Sequence, residues 1–349
     1  MACESIFKST IRSFFKSFAV IIGIAIALIV IAVVIGFITP QSPFSEKTTI
    51  FVDVDADGNR ELLASSAPVI LKVNIQGEIG SRGLTSSHVK AQLADSRTGM
   101  FKGDRVKALL LYINSPGGDA IDSFTIYKEL LDYKKKYQVP IYGFVDGFCA
   151  SGAMMIACAA DKVYSNPIGI IGSVGVRIGP NFNVAQMMDK FGIKQKTITQ
   201  GKDKDMLNPF RPWKPNEDQS IENIVSHDYS LFIDIVSQAR PRLTKEKLIN
   251  EYGAQVFDPS KAETLGYIDH GQSNYKDMLT DLVKQAGIAE NTRYQVVELR
   301  VQQPLLVGLT EGKSPFLSGV LNHQLQFNDD FLLHRSLYLY SPALDSFEE

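Results

Sequence analysis

The chain has few of the residues that build metal centres or disulfide frameworks. Only three of its 349 residues are cysteine and five are histidine. The cysteines form no CxxC pair, and no two histidines have the HExxH spacing. We therefore expect neither a structural metal nor a disulfide framework.

An excess of charge of either sign is also absent. Lysine and arginine number 36 against 38 aspartates and glutamates, a net charge of −2. A nucleic-acid-binding protein usually carries a basic surface, so this balance argues against a nucleic-acid partner. No internal repeat is visible, and the length suits two average domains or one large one.

Long apolar runs are confined to one place, residues 18–38, which are 21 consecutive Ala, Val, Ile, Leu, Phe and Gly. As a helix this run would be roughly 30 Å long, the thickness of a bilayer's hydrocarbon core. A cleaved signal peptide usually has a shorter apolar region, and a buried core helix is the other alternative. The length of the run therefore predicts a transmembrane signal anchor over 18–38. Because the basic residues Lys8, Arg12 and Lys16 precede it, we expect segment 1–17 to be cytoplasmic and the remainder to be extracytoplasmic.

The rest of the chain divides into three parts. Residues 39–67 are predicted to form a linker and a β-hairpin of 48–54 with 59–64. Residues 68–290 alternate apolar strands, such as 106–113 and 140–145, with amphipathic helices, and a further strand is predicted over 194–199. Such alternation is typical of βαβ units in a parallel sheet. Residues 291–349 have weaker periodicity after a first strand, and we interpret them as a packing or assembly segment.

A turn of small residues at Ser151 is the strongest functional signal in this region. It follows an apolar strand and precedes a segment, 152–160, that is apolar on nearly every side. A helix that is apolar all round is buried, so Ser151 would be held rigidly beside free backbone N–H groups. This position suits a nucleophilic hydroxyl, and the structural alternative is a tight turn with a buried serine.

A serine nucleophile needs a base, which is usually a histidine or a desolvated lysine. No local pattern places a histidine near Ser151, whereas the polar loop 201–209 contains Lys202 and Lys204, each beside an aspartate. These lysines are either candidate bases or an ordinary solvated charge cluster. The backbone N–H of Gly152 and one from the turn 116–118 are candidate donors to an oxyanion.

Four motifs in order make the chain resemble the signal peptide peptidase A family: INSPGG at 113–118, ASG at 150–152, GSVGV at 172–176, and the lysine loop at 201–209. The resemblance covers roughly residues 69–272. Members of this family are membrane-anchored Ser/Lys serine peptidases with a Clp protease/crotonase fold, and this chain is similar to the half-length members.

The resemblance implies the roles of four residues. Ser151 matches the nucleophile and Lys204 the general base. Gly118 and Gly152 match the oxyanion donors. Lys204 fits the family pattern better than Lys202, because it follows Gly201 by three residues and directly precedes an aspartate.

This chain departs from the family pattern in having Gly152-Ala153 where members usually have two glycines after the nucleophile. A Clp protease has a similar Ser-Pro-Gly-Gly turn, but it would need a histidine about 25 residues after the serine and has no membrane anchor. At that spacing this chain has Ser173 to Val176.

The resemblance therefore implies an α/β fold of the Clp protease/crotonase type, built of repeated strand–helix units, with one N-terminal transmembrane helix. It implies a serine endopeptidase without a metal or organic cofactor, anchored in a bacterial cytoplasmic membrane, with its catalytic domain on the extracytoplasmic side. The implied substrates are signal peptide remnants and other extended or unfolded chains. The expected assembly is a homo-oligomeric ring in which one subunit's lysine serves a neighbour's serine. A catalytically silent membrane scaffold is the alternative.

Two cysteines lie on either side of Ser151 in the sequence. Cys149 lies at the end of a strand and Cys158 in the following helix, and we interpret both as buried free thiols.

Overall fold

The computed structural model describes residues 12, 14–24, 27, 48–81, 83–301 and 337–339. The chain divides into two compact units, Met1–Lys47 and Thr48–Glu349. In the first unit, residues 14–24 are helical. All strands, and the helices discussed below, belong to the second unit.

The second unit alternates strands and helices along most of its length. Its strands are β1 (Thr48–Asp53), β2 (Val69–Gln76), β3 (Val106–Ser115), β4 (Gly117–Asp119), β5 (Ile141–Ala150), β6 (Lys162–Ser165), β7 (Ile170–Gly172), β8 (Val256–Phe257), β9 (Gln295–Val301) and β10 (Leu337–Leu339). Its α-helices are α1 (Ser86–Asp95), α2 (Ala120–Tyr137), α3 (Gly152–Ala157), α4 (Ala185–Lys190), α5 (Gln219–Ala239), α6 (Lys245–Lys247), α7 (Pro259–Leu265) and α8 (Tyr275–Gln285). A 3₁₀ turn (Gly99–Phe101) and a π-helical turn (Leu248–Tyr252) complete the regular elements of the described residues.

The main sheet is mixed, with a parallel centre. Its order is β1-β9-β2-β3-β5-β7-β8, and β6 pairs with β5 beside β7. The pairs from β9 to β7 are parallel, whereas β1 on β9 and β8 on β7 are antiparallel. A parallel centre needs long crossovers, and α1, α2 and α3 lie in these connections.

Two apolar clusters cover the two faces of the sheet. Alternate residues of β2 and β3 point to opposite faces, because successive side chains of a strand alternate. Leu71 and Leu111 lie on the larger cluster with α1, α2, α3 and α5, and Ile70 and Leu110 lie on the smaller one with α8. Strand β3 is thus buried on both faces, which explains its near-continuous apolar sequence.

The prediction of alternating strands and helices over 68–290 is confirmed, but a predicted strand within it and the hairpin predicted before it are wrong. Residues 59–64 form no strand, and β1 pairs with β9, 242 or more residues later, instead of forming a hairpin. Residues 194–199 are irregular and exposed, so the predicted strand there is also wrong. Tertiary pairing decides whether such a segment forms a strand, and the described residues offer neither segment a partner strand.

Most of the predicted membrane anchor 18–38 lies outside the described residues. Residues 18–24 and 27 of this run are described and helical. Among the described residues, none of the helices combines the length and hydropathy needed to cross a membrane.

The predicted C-terminal segment 291–349 contributes two described strands. Strand β9 inserts between β1 and β2, so this part of the segment is integral to the main sheet. Strand β10 pairs antiparallel with β4, and residues 302–336 and 340–349 lie outside the described residues.

We expect the centre of β3 to determine stability. Leu111 is fully buried and pairs with Val73 and Gly143 of the neighbouring strands. Leu111→Ala should lower the free energy of unfolding by about 2–5 kcal/mol, since it removes buried methyl groups and leaves a cavity. Denaturant titration of the purified chain measures this loss.

Lys107 on the same strand is the matched control because its side chain is exposed. Lys107→Ala should change the free energy of unfolding by less than about 0.5 kcal/mol. Equal losses for the two variants would contradict the assignment of β3 to the core.

Candidate active site

Two turns meet at one edge of the sheet because β3 and β5 are parallel neighbours. Their register pairs Ser115 with Cys149, after an irregularity between Ile113 and Ser115. Ser115 ends β3 and leads through Pro116 into the glycine strand β4, and Cys149 lies two residues before Ser151. The structure therefore places the predicted nucleophile turn and the predicted oxyanion turn beside each other, as the carboxyl ends of parallel strands require.

Ser151 has an unusual backbone conformation. Its φ is 56° and its ψ is −120°, and it is the N-cap residue of α3. A non-glycine residue with positive φ costs of order 1–3 kcal/mol and persists only where its surroundings impose it. Its amide donates a 2.9 Å hydrogen bond to the carbonyl of Gly172 on β7, which helps to fix this conformation.

The Ser151 side chain is not used for capping. Serine at an N-cap ordinarily accepts a hydrogen bond from a backbone N–H of the first turn. Here the side chain makes no such bond, although the residue is only 1 % exposed. All six residues of α3 are buried, as the sequence predicts, so the serine is held on a rigid support.

Glycine is the only residue type that position 118 of β4 accepts. A Cβ there would lie 2.1 Å from the carbonyl oxygen of Ile79, and φ is +151°. The Ile79 amide donates to the Gly117 carbonyl and the Asp119 amide donates to the Ile79 carbonyl, each at 2.9 Å. Because peptide groups of a strand alternate sides, the N–H of Gly118 faces away from Ile79, toward the side of β4 on which Tyr338 of β10 is its partner. With that side open to a substrate, this N–H is a candidate oxyanion donor.

Gly152 is the first residue of α3. The first N–H groups of a helix have no acceptor within the helix, so the N–H of Gly152 is the second candidate donor to an oxyanion. Donors on the two neighbouring turns, with Ser151 beside them, match what acyl transfer at Ser151 requires.

Asn114 supports this arrangement, and our sequence reasoning gave it no role. Its side-chain oxygen accepts from the Phe148 amide at 3.1 Å, and its carbonyl accepts from the Gly77 amide at 3.0 Å. Gly147 lies so close that a Cβ there would be 2.5 Å from the Asn114 side-chain oxygen. This bond lies at the register shift between β3 and β5. Its only sequence signal is an asparagine directly before Ser-Pro-Gly-Gly.

The lysines of loop 201–209 are exposed, whereas Ser151 is buried. Lys204 is exposed, and Lys202 is 94 % exposed with its ammonium 3.9 Å from Asp203. Among the described residues, no hydrogen bond or ion pair joins Lys204 to Ser151. The single chain brings the nucleophile and the oxyanion donors together, but it leaves the predicted base in solvent.

A second residue that sequence reasoning missed, Arg211, fixes the shape of the lysine loop. Its guanidinium contacts Asp205 at 2.7 Å and Glu217 at 2.8 Å, and it also donates to the Asp205 carbonyl. Glu217 in turn accepts from the Leu207 amide at 3.1 Å. The hydrogen bonds from Arg211 lower the pKa of both carboxyl groups, so the cluster stays charged at neutral pH. Lys204, directly before Asp205, is therefore presented by a defined loop.

An apolar cavity of 680 Å³ is lined in part by Val174, which follows Gly172 by two residues. It is open to solvent and is lined mainly by the segment after β7 and by α5. Tyr229 and Val176 contribute apolar surface. Arg177 also lines it, and its buried Nε and Nη2 atoms have no hydrogen-bond partner among the described residues. A cavity of this size and lining accommodates apolar side chains of a ligand.

Comparison with known proteins identifies the family. A model of peptidase family S49 matches residues 133–289, and a model of Clp protease matches residues 84–168. A putative protease of Synechocystis is 31% identical over 207 residues, which are 59% of this chain and 73% of that protein. The chain belongs to peptidase family S49.

Other relatives agree with this assignment. A putative signal peptide peptidase SppA of Enterococcus faecium is 26% identical over 78% of this chain and 81% of its own length. The resemblance to the signal peptide peptidase A family is thus confirmed, and so is the Clp protease-like α/β fold with a mixed sheet.

Several relatives are longer than the matched region. The chain covers 65% of a putative protease of Methanocaldococcus jannaschii, which is 31% identical over 210 residues or 60% of this chain. It covers 26% of a protein of Brucella melitensis named as the Na(+)/H(+) antiporter NhaA, which is 29% identical over 58% of this chain.

The two cysteines around Ser151 are buried free thiols, as interpreted from the sequence. Burial raises the pKa of Cys149 to about 12 and that of Cys158 to about 11, although Arg240 nearby partly opposes the shift. Arg240 is itself paired with Asp269 at 2.7 Å. At neutral pH both groups are therefore uncharged thiols beside the S49 family's serine turn, not competing nucleophiles.

We expect the two thiols to resist alkylation in the folded protein. At pH 8.5 fewer than about 1 in 100 would be ionised with these pKa values, whereas an unfolded cysteine is about half ionised. In a Cys3→Ser chain, mass spectrometry should find no iodoacetamide adduct in buffer and two adducts in denaturant. Ser260→Cys introduces an exposed thiol as the control for reagent access, and rapid native labelling of Cys149 would contradict the buried arrangement.

Proposed function

We propose that the chain is a serine endopeptidase that uses Ser151 as nucleophile and Lys204 as general base. One observation carries the proposal: the conformation of Ser151, left-handed, buried, and with a side chain that makes no capping bond. The S49 family assignment supports it independently.

The proposed reaction is acyl transfer in two steps. The hydroxyl of Ser151 attacks the peptide carbonyl while its proton passes to Lys204, and the N–H groups of Gly118 and Gly152 bind the oxyanion. When the C–N bond breaks, the lysine returns the proton to the leaving amine. Water then attacks the acyl-enzyme by the same route, which regenerates the serine.

The proposed substrates are extended or unfolded chains, including signal peptide remnants, with small or apolar side chains at the cleaved bond. The edge of β4 is suited to pair with an extended backbone, and main-chain pairing gives affinity without demanding one sequence. The adjacent 680 Å³ cavity is largely apolar, which favours apolar side chains. The relative from Enterococcus faecium is named as a putative signal peptide peptidase.

We further propose that the active form is a homo-oligomeric ring in which Lys204 serves a neighbouring subunit's Ser151. A lysine accepts a proton at neutral pH only when its charged form is desolvated. Lys204 is exposed in the single chain, and assembly across this surface would cover it. The loop fixed by Arg211 presents Lys204 outward, as a contribution to a partner requires.

The proposed location is a bacterial cytoplasmic membrane, with residues 18–38 as a single anchor and the peptidase unit on the extracytoplasmic side. The support is the apolar run and the basic residues before it.

Ser151→Ala should abolish both labelling by a fluorophosphonate probe and hydrolysis of an unstructured fluorogenic peptide. Loss of a nucleophile costs several orders of magnitude in turnover, whereas thermal unfolding should change little. Ser165→Ala, a buried serine on β6, is the matched control and should keep both activities. Activity of Ser151→Ala within about tenfold of wild type would indicate another nucleophile. A wild-type ring that neither labels nor hydrolyses would favour the scaffold alternative.

Co-expression of Ser151→Ala with Lys204→Ala distinguishes a shared dyad from one within a chain. Each variant alone should be inactive, and random mixed rings should recover about a quarter of wild-type activity, because one in four contacts joins an intact serine to an intact lysine. Purified, differently tagged hetero-oligomers are assayed on the same peptide.

Two controls accompany this experiment. Lys204→Ala mixed with the double variant contains no catalytic lysine and should stay inactive. Lys202→Ala alone should remain active, because Lys202 is the lysine that fits the family pattern less well. Verified mixed rings without activity would place the dyad within one chain.

A further inference from the structure

The wall of the 680 Å³ cavity contains a charged group without a partner. Arg177 lines this cavity, and its Nε and Nη2 atoms are buried with no hydrogen-bond acceptor among the described residues. A buried donor without an acceptor is costly, and it is more costly when the group is charged. A ligand that brings an acceptor to Arg177 would remove this cost, so the residue favours ligands that carry one.

The two unpartnered atoms determine which acceptor fits best. Nε and Nη2 lie on the same edge of the guanidinium group. Such an edge binds the two oxygens of a carboxylate through two parallel hydrogen bonds. Arginine stays charged in proteins, so a carboxylate also supplies the opposite charge. Arg177 therefore favours a carboxylate over a neutral amide or carbonyl oxygen.

Two acidic residues of the same wall leave this edge unoccupied. Asp218, directly before α5, is half-buried, and Glu222 in the first turn of α5 is exposed. The Glu222 carboxylate accepts a hydrogen bond from the Gln219 side chain at 3.2 Å. Within the part of the chain that the structure describes, neither acidic residue forms an ion pair with Arg177. Taken alone, these two carboxylates would favour a cationic side chain, which is the competing expectation.

We propose that the cavity is a subsite for a carboxylate of the bound peptide and that Arg177 determines this specificity. The proposal rests on the proposed peptidase function. The cavity adjoins the candidate site along the chain, because Val174 lines it and Gly172, two residues earlier, accepts from the Ser151 amide. Its largely apolar lining would hold the apolar part of the ligand. The carboxylate belongs either to an aspartate or glutamate side chain or to the C-terminus of the bound peptide.

A set of unstructured fluorogenic peptides measures this selectivity with assembled wild-type protein. Each peptide is amidated at its C-terminus and carries one glutamate, placed at a different position around the cleaved bond. Matched peptides carry glutamine or lysine at that position. At one position kcat/KM should be about tenfold or more higher for glutamate than for glutamine, as expected for hydrogen bonds between charged groups. The glutamine peptide with a free C-terminal carboxylate tests the other source.

Three variants assign the selectivity to Arg177. Arg177→Gln should bring the ratio of kcat/KM between glutamate and glutamine peptides close to one. Arg177→Lys keeps the charge but not the planar fork, so it should retain only part of the ratio. Lys190→Gln removes the same charge from the exposed end of α4 and should keep the full ratio. Because each ratio compares two substrates on one preparation, partial loss of folded protein does not alter it.

A binding measurement on the full chain with Ser151→Ala separates recognition from catalysis. Fluorescence anisotropy of labelled peptides should give a Kd about tenfold lower for the preferred glutamate peptide than for its glutamine match. Adding Arg177→Gln to Ser151→Ala should remove this difference.

The outcomes distinguish the subsite from the peptidase function. Hydrolysis with no preference for glutamate at any position, and none for the free C-terminus, overturns the subsite and leaves the peptidase function standing. A preference that persists in Arg177→Gln, or that Lys190→Gln removes equally, overturns the role of Arg177. A preference for lysine peptides shows that Asp218 and Glu222 determine selectivity, which also overturns the proposal. Arg177-dependent binding by a protein that hydrolyses nothing supports the subsite and overturns the peptidase function instead.

Discussion

The parallel pairing of β3 with β5 determines where Ser151 and the candidate oxyanion donors lie within one chain. It brings the ends of two buried strands to one edge, so that the turn after each strand meets the other. The Asn114 side chain bridges the two strands where their register shifts, through its bond to the Phe148 amide. A change of register here would separate Ser151 from Gly118 and would also turn the side chains of a central strand to the opposite faces of the sheet.

Strain at Ser151 is balanced by bonds from the elements around it. Its positive φ is disfavoured on its own, but the hydrogen bond to Gly172 and the burial of α3 hold the residue in this conformation. At Gly118 the constraint is steric, since the Ile79 backbone fills the space of a side chain. The two residues are thus fixed by different physical means, one by hydrogen bonding and burial, the other by exclusion of any Cβ.

The sequence is informative wherever local chemistry decides the structure. The apolar run of β3, the small-residue turn at Ser151 and the apolar α3 each follow from local composition, and the family motifs indicate candidate site residues. Pairings between distant segments are not visible in this way. Strand β1 has the composition of a hairpin strand, yet its partner is β9, and nothing near 48–54 in the sequence specifies that partner. Arg211 is likewise one of many surface arginines until its contacts with Asp205 and Glu217 are seen.

The exposure of Lys204 and the pairing of β10 with β4 both bear on what the candidate site can do in the single chain. A serine between two oxyanion donors acts on any extended chain that reaches it, unless the base is withheld or the groove is filled. In this chain Lys204, the proposed base, is exposed on a loop held by the ion pairs of Arg211 with Asp205 and Glu217. The edge of β4 is paired with β10, three residues of the C-terminal segment. In the proposed ring, a neighbouring subunit would cover Lys204. If the proposed dyad forms between subunits, hydrolysis requires assembled protein, because the single chain leaves Lys204 in solvent.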